Sequence, residues 1–253
     1  MKAIILSAGQ GKRLLPLTQE VPKCLLPVGR EHTLLSWQLA QLAEAGVDEA
    51  VVVTGFESAK VEGHLAEQSF LPARAVFNPF FDVADNLASV WCALGEFGGD
   101  TILLNGDTLF ASRVPASLAE HARSGITLTV SRKATYDDDD MKVQLDGTSV
   151  RAIAKTLESD RIDGESIGMT LLRGDGPAVF RRAVEHWMRR PDRRDLWYLS
   201  VLDALSREVE VATHEAAQDE WCEVDVADDV RHARDAVDHW AGTASRPHVA
   251  AVS

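Results

Sequence analysis

Near the start of the chain, a lysine and an arginine follow two closely spaced glycines in the run Leu6-Ser7-Ala8-Gly9-Gln10-Gly11-Lys12-Arg13-Leu14. Gly9 and Gly11 permit positive φ and a close approach of backbone to a ligand. Successive N–H groups in such a turn, from Ala8 onward, make an anion-binding concavity, to which Lys12 and Arg13 add charge. The chemistry implied is phosphate binding. Read alone, a G-x-G after a strand is a weak signal. This one lacks both the third glycine of the dinucleotide fingerprint and the G-K-[ST] ending of a P-loop. The run continues as L-P-L-T-Q-E-V-P-K-C-L-L-P-V, where Pro22 stiffens the approach to Lys23, and Leu25 and Leu26 offer anchors in a core.

Two aspartates complete a possible charge centre. Asp107 follows the apolar run Thr101 to Leu104 through Asn105-Gly106, a position suited to Mg²⁺, which favours one or two carboxylates plus phosphate oxygens. A turn aspartate capping the next segment explains it equally well. Asp225, in W-C-E-V-D-V-A-D-D-V, ends a second short apolar run. Glu223, two residues earlier, shares its strand face and is a candidate contact for substrate or a bound water. Asp228 and Asp229 fall in the first turn of the helix that follows, where carboxylates meet the helix dipole favourably, so they need no catalytic explanation.

These residues need a scaffold of strands with loops at one edge. Ala3–Leu6, Ala50–Thr54, Ala75–Phe77 and Thr101–Leu104 are short continuous apolar runs. Between them lie helical stretches starting at Thr33 (an N-cap), Ser58 and Leu87. That alternation predicts an α/β fold, with a Rossmann-like, mostly parallel central sheet covered by helices on both faces. In such sheets ligands bind beyond the carboxyl ends of the strands. The second half is less regular. Thr127–Val130, Lys142–Leu145 and Val150–Ile153 read as a smaller antiparallel insertion turning at Asp146-Gly147, followed by a strand at Ser166–Leu172. Helices are expected over Pro177–Met188, Leu199–Leu205 and Val226–Trp240. With no repeat or linker, 1–240 reads as one domain and 241–253 as a flexible tail.

The 253 residues carry a net charge of −13, which disfavours a nucleic-acid partner, since a phosphate backbone needs a basic surface. Three cysteines far apart suggest neither disulfides nor zinc. The apolar stretch in MKAIILSAG is too short for a signal peptide, and no run approaches the roughly 18 apolar residues of a membrane span. The cytoplasm is the expected compartment.

The string A-G-x-G-x-R-L-x-P-L-T-x-x-x-P-K-x-L-L-P-V, from Ala8 to Val28, resembles the nucleotidyltransferases that activate sugar 1-phosphates and phosphocholine. The resemblance implies a triphosphate in the glycine loop (Ala8, Gly9, Gly11, Lys12), with Arg13 on the β- and γ-phosphates and Lys23 at the α-phosphate. It also implies Mg²⁺ on Asp107 and Asp225. Asn78 to Trp91, Asp138 to Val143 and Gly164 to Gly168 resemble the phosphocholine cytidylyltransferase branch, which includes enzymes acting on phosphonates and inositol phosphate. By this likeness the nucleotide is CTP, with Asn86 reading its base or the acceptor. Lys142, Lys155, Glu165, Trp197, Tyr198 and Glu223 would meet a small anionic acceptor. A helix N-cap is the plain alternative for Asn86, and a surface position for each lysine. The chain departs from the family at two points: Asp85-Asn86 stands where the family often has two asparagines, and Leu199 and Ser200 where it tends to carry acids, a loss that weakens choline as the acceptor's head group. The alternatives are a sugar 1-phosphate enzyme using UTP, dTTP or GTP, or a non-catalytic homologue. A homodimer is expected from the frequency of twofold assemblies.

Overall fold

The computed structural model describes residues 1–193 and 195–244. Four strands form the parallel half of a nine-stranded sheet: β1 (Lys2–Ser7), β2 (Glu49–Thr54), β3 (Ala73–Phe77) and β4 (Thr101–Asn105). They lie in the order β3-β2-β1-β4, with Leu6 of β1 opposite Val53 on one side and Asn105 on the other. Side chains alternate along these strands. Ile4, Leu6, Val51, Val53 and Leu103 enter one apolar cluster, whereas Ala3, Ile5, Val52, Ile102 and Leu104 enter a second cluster on the opposite face. Burial on both faces is why the strands read as unbroken apolar runs rather than as alternating ones. Helices α1 (Leu34–Glu44), α2 (Ser58–Glu67) and α4 (Arg113–His121) supply the second cluster. Helices α3 (Asn86–Cys92), α5 (Gly176–Met188) and α6 (Tyr198–Leu205) supply the first.

Beyond β4 the sheet continues with β9 (Gly164–Leu172), β6 (Ile126–Ser131), β10 (Ala212–Glu215), β8 (Ser149–Ala154) and β7 (Lys142–Asp146). The parallel order is broken here: β9 runs against both β4 and β6, and β8 against both β10 and β7. A further pairing, Lys142 with Glu165 and Val143 with Gly164, joins β7 back to β9 and closes these five strands into a ring. The expected antiparallel insertion is present as the β7–β8 hairpin at the end of the same sheet, but β6 is not part of it: it lies between β9 and β10 and runs parallel to β10.

A two-stranded ribbon stands apart, made of β5 (Thr108–Phe110) and β11 (Trp221–Glu223), with Glu223 opposite Thr108. The final helix, α7 (Ala227–Ala244), packs with Leu14, Val28, Trp37 and this ribbon in a third apolar cluster. Residues 241–244, expected in a tail, therefore belong to α7, and 245–253 lie outside the described residues. Among the described residues no helix is long and apolar enough to cross a membrane.

Helix α1 begins as expected at Thr33, whose Oγ1 accepts from Ser36 N at 3.1 Å while Ser36 Oγ accepts from Thr33 N at 2.8 Å, a capping box. The same helix braces the turn after β4. Gln38, fully buried, donates its Nε2 to Asn105 O at 2.9 Å and to Thr108 O at 2.8 Å, on either side of Gly106 and Asp107. Replacing Gln38 by Leu strands two buried carbonyls and should destabilise the fold by about 2 kcal/mol or more. The check is thermal or urea unfolding; an unchanged midpoint would mean that the turn does not depend on this amide.

Candidate active site

The carboxyl ends of β1 and β4 lie side by side, so the loops that leave them share one edge of the sheet. Gly106 makes their closeness possible. A Cβ there would sit 2.4 Å from Ser7 Oγ and 2.6 Å from Leu6 O, so any other residue would push the Asp107 turn away from β1. Gly11 adopts φ +74°, and its missing side chain leaves room for the stem of Lys23, whose Cβ would lie 3.0 Å from a Cβ at this position. Gly9 does not take positive φ. The space beside it is open, so it gives close backbone access rather than a special turn.

Lys23 is the centre of the arrangement. Its Nζ lies 2.9 Å from Asp107 Oδ2 and 2.5 Å from Asp225 Oδ1, and its side chain is 13% exposed. Burial alone would lower the ammonium's pKa; the carboxylates of Asp107 and Asp225 outweigh burial and hold it above the ordinary lysine value. Asp107 is positioned by the Gln38 brace and by Val224 N, which donates to Asp107 O at 3.1 Å. That last bond extends the β5–β11 pairing and so delivers Asp225 to the same point. Asp229 Oδ2 accepts from the N–H groups of Asp225 and Val226 at 2.7 and 2.8 Å, the structural role expected for it at the start of α7.

Asp107, Glu223 and Asp225 each offer a carboxylate oxygen within 4.8 Å of the others. Among the described residues, Asp107 Oδ1 is a buried oxygen with no hydrogen-bond partner. An orphaned buried acceptor beside two further carboxylates fits a hard divalent cation with oxygen preference. Crowding by protein atoms, then the like charges of Asp107 and Asp225, push the Glu223 carboxyl upward, which a nearby cation would reverse.

Above this centre opens a cavity of about 1150 Å³, larger than the roughly 300–1,000 Å³ usual for a single small ligand. Of the residues expected in the site, Ala8, Gly9, Gly11, Arg13, Lys23, Asn86, Asp107, Lys155, Glu165, Trp197, Glu223 and Asp225 all line it. Asn86 opens α3 and also accepts at Oδ1 from Tyr198 N at 2.9 Å; the N-cap is Asp85. Lys155 holds its ammonium 4.6 Å from the centroid of the Trp197 ring.

Three expectations are corrected. Lys12 is exposed and does not line the cavity, because the single 3₁₀ turn over Lys12–Leu14 turns Leu14 inward and leaves Lys12 on the surface. Lys142 does not face a ligand. Its Nζ is buried and donates to the backbone carbonyls of Asp137 and Lys155, so it ties two loops together. Tyr198 is wholly buried in the first apolar cluster as the opening residue of α6, so of this pair only Trp197 reaches the cavity, which Phe81 also lines.

Sequence reading missed Gln38 and Lys133. Gln38 carried a signal, being a polar residue inside the apolar stripe of Leu34, Leu35, Leu39 and Leu42. Lys133 had none. Its Nζ lies 2.8 Å from both Asp140 and Glu165, a contact made only when the loop before β7 folds back on β9.

This site, with a glycine loop after the first strand and a lysine between two carboxylates at the switch of an α/β sheet, defines a phosphate-handling α/β protein. The chain belongs to the nucleotidyl transferase family, whose model matches residues 2–142. It is 30% identical over 237 residues to a bifunctional IPC transferase and DIPP synthase of Aquifex aeolicus, covering 92% of this chain and 50% of that protein. It is 31% identical over 208 residues to a CMP-5'-(3-aminopropyl)phosphonate synthase of Streptomyces rubellomurinus, covering 82% of this chain and 31% of that protein. The chain therefore spans half or less of the length of these two curated relatives. Its fold matches that of the CTP:phosphocholine cytidylyltransferase of Streptococcus pneumoniae with a TM-score of 0.75 at 20% identity, covering 93% and 98% of the two chains.

Glu165 generates a stability prediction. Burial, partly offset by Lys133, raises its carboxyl to about 7 from an ordinary 4.5. The folded state then binds this proton more tightly than the unfolded state, so stability should fall as pH rises from about 4.5 to about 7 and stay low above. Unfolding measured across that range should show the decline in the parent and a shallower one in Glu165→Gln, because the raised Glu223 carboxyl contributes in the same direction.

Proposed function

We propose that the protein is a cytidylyltransferase that moves CMP from CTP to a small phosphate- or phosphonate-bearing acceptor and releases pyrophosphate. The observation that carries the reading is the buried Lys23 ammonium between Asp107 and Asp225, beneath a glycine loop and facing a cavity with room for two ligands. The cytidylyl assignment is supported by the relative that makes a CMP-linked phosphonate and by the fold shared with a CTP-using enzyme.

In this reaction an oxygen of the acceptor attacks the α-phosphorus of CTP, a new P–O bond forms, and the bond to the pyrophosphate oxygen breaks. The acceptor oxygen is already anionic near neutral pH, so no general base is required. The work left to the protein is to hold two anions together and to steady the charge that departs. Lys23 brings its ammonium to the point where the anions meet. Gly9 gives the triphosphate close access to backbone N–H groups, and Arg13 offers a guanidinium fork to the leaving pyrophosphate. Asp107 and Asp225, with Glu223 beside them, would hold Mg²⁺, which when bound neutralises the phosphate oxygens.

Pyrophosphate release measured with CTP, UTP, dTTP, GTP and ATP, each against choline phosphate, aminoalkyl- and hydroxyalkylphosphonates, inositol phosphate and sugar 1-phosphates, tests the reading directly. Turnover confined to CTP is expected, and a sugar 1-phosphate with UTP, dTTP or GTP as the best pair would replace it. Lys23→Ala should lower kcat by about 100-fold or more. Chelation should abolish turnover and added Mg²⁺ should restore it; turnover in the presence of excess chelator would remove the metal from the mechanism.

A further inference from the structure

Among the described residues, every cation lining the cavity is already paired with a carboxylate of this chain. Lys23 holds Asp107 and Asp225, whereas Arg13 and Lys155 converge on Asp139, with Asp225 Oδ2 a more distant partner of Arg13 at 3.7 Å. Arg13 Nη2 lies 2.8 Å from Asp139 Oδ2, and Lys155 Nζ lies 3.6 Å from Asp139 Oδ1. Arg13 comes from the glycine loop and Lys155 from just beyond β8, so Asp139 bridges two walls of the cavity.

The segment carrying Asp139 has a fixed base and a releasable tip. At the base, Lys133 grips Asp140 and Glu165, and the buried Lys142 ammonium holds the carbonyls of Asp137 and Lys155. Asp140 also accepts from Asp137 N at 2.7 Å. At the tip, the Asp139 side chain is 60% exposed and its Arg13 partner 55% exposed. Exposed ion pairs are worth little and exchange readily, whereas the buried ones below are costly to break. A carboxylate and a phosphate present the same pair of oxygens to a guanidinium, so they compete for it.

We propose that Asp139 is a built-in competitor for substrate phosphate, carried on a strap anchored by Lys133 and Lys142, and that it leaves Arg13 and Lys155 when a phosphate group enters. It thereby sets the affinity of the site for its anionic ligand. The proposal rests on the reading that Arg13 and Lys155 meet phosphates.

The test is calorimetric binding of inorganic pyrophosphate, and of CTP with Mg²⁺ and no acceptor, to the full chain. Asp139→Asn should tighten both by about two- to fivefold, the worth of an exposed ion pair. Asp139→Glu, which restores the carboxylate, should bind as the parent does. Asp138→Asn changes the charge of the cavity wall equally but meets neither cation, and should bind as the parent does. In an Arg13→Gln background the gain from Asp139→Asn should shrink. In turnover, the gain should appear in KM for the nucleotide rather than in kcat. Unchanged or weaker binding by Asp139→Asn overturns the strap, as does an equal gain from Asp138→Asn, which would mean bulk charge alone, or failure of both parent and variant to bind pyrophosphate. Tighter pyrophosphate binding with no nucleoside triphosphate bound or turned over would keep the strap and remove the cytidylyltransferase reading.

Discussion

The ion pair at Lys23 is the constraint on which the rest of the site depends. Its partners stand 84 and 202 residues away in sequence, so three distant segments must converge to bury one ammonium. Such a group is tolerated only with partners in place, because removing one leaves a buried charge uncompensated. Each neighbouring feature answers that requirement. The parallel pairing of β1 with β4 sets the two loops side by side, and Gly106 lets them touch. Gln38 fixes the turn bearing Asp107, and the β5–β11 ribbon swings Asp225 back to it. The third apolar cluster then seals the assembly, placing α7 against Leu14 and Val28 on either side of Lys23 in sequence.

What could be read from the sequence follows the range of the interaction concerned. The glycine loop was legible because the conformation of Gly11 and the openness at Gly9 leave a local trace in residue type. The Thr33 cap and the four parallel strands were legible for the same reason, since caps and continuous apolar runs are properties of a few consecutive residues. The strand before Asp225 was legible, but β5 and its pairing with β11 were not, for a strand of three residues carries no periodicity and its partner is distant in sequence. Nor was the closure of β7 onto β9, which is a pairing between segments joined by a hairpin and a turn.

The misplaced residues have the same origin. Lys142 and Lys155 look alike in sequence, each beside a short apolar run, yet one is a buried strut and the other reaches the cavity. The β7–β9 pairing decides between them, because it turns the start of β7 inward beneath the aspartate run. Trp197 and Tyr198 are neighbours whose fates separate at the start of α6, where Trp197 is still extended (ψ 148°) and Tyr198 is the first helical residue. One faces the cavity and the other the core.

The charge balance of the cavity has a further implication. Its wall holds Arg13, Lys23 and Lys155 against a much larger set of carboxylates, among them Asp85, Asp107, the Asp137 to Asp140 run, Glu223 and Asp225. A polyanion entering such a cavity meets net repulsion unless partners are exchanged. Each cation that turns from a carboxylate to a phosphate releases a carboxylate with nothing to neutralise it, and in a partly desolvated site that charge is costly. Where the freed carboxylates lie together, as Asp107, Glu223 and Asp225 do, they form a set of hard oxygen donors for a divalent cation. Where a freed carboxylate is exposed, as Asp139 is, water takes the place of its partner. The two exchanges differ in grouping: three carboxylates within 4.8 Å of one another can share a cation, whereas Asp139 stands apart from them on the exposed strap.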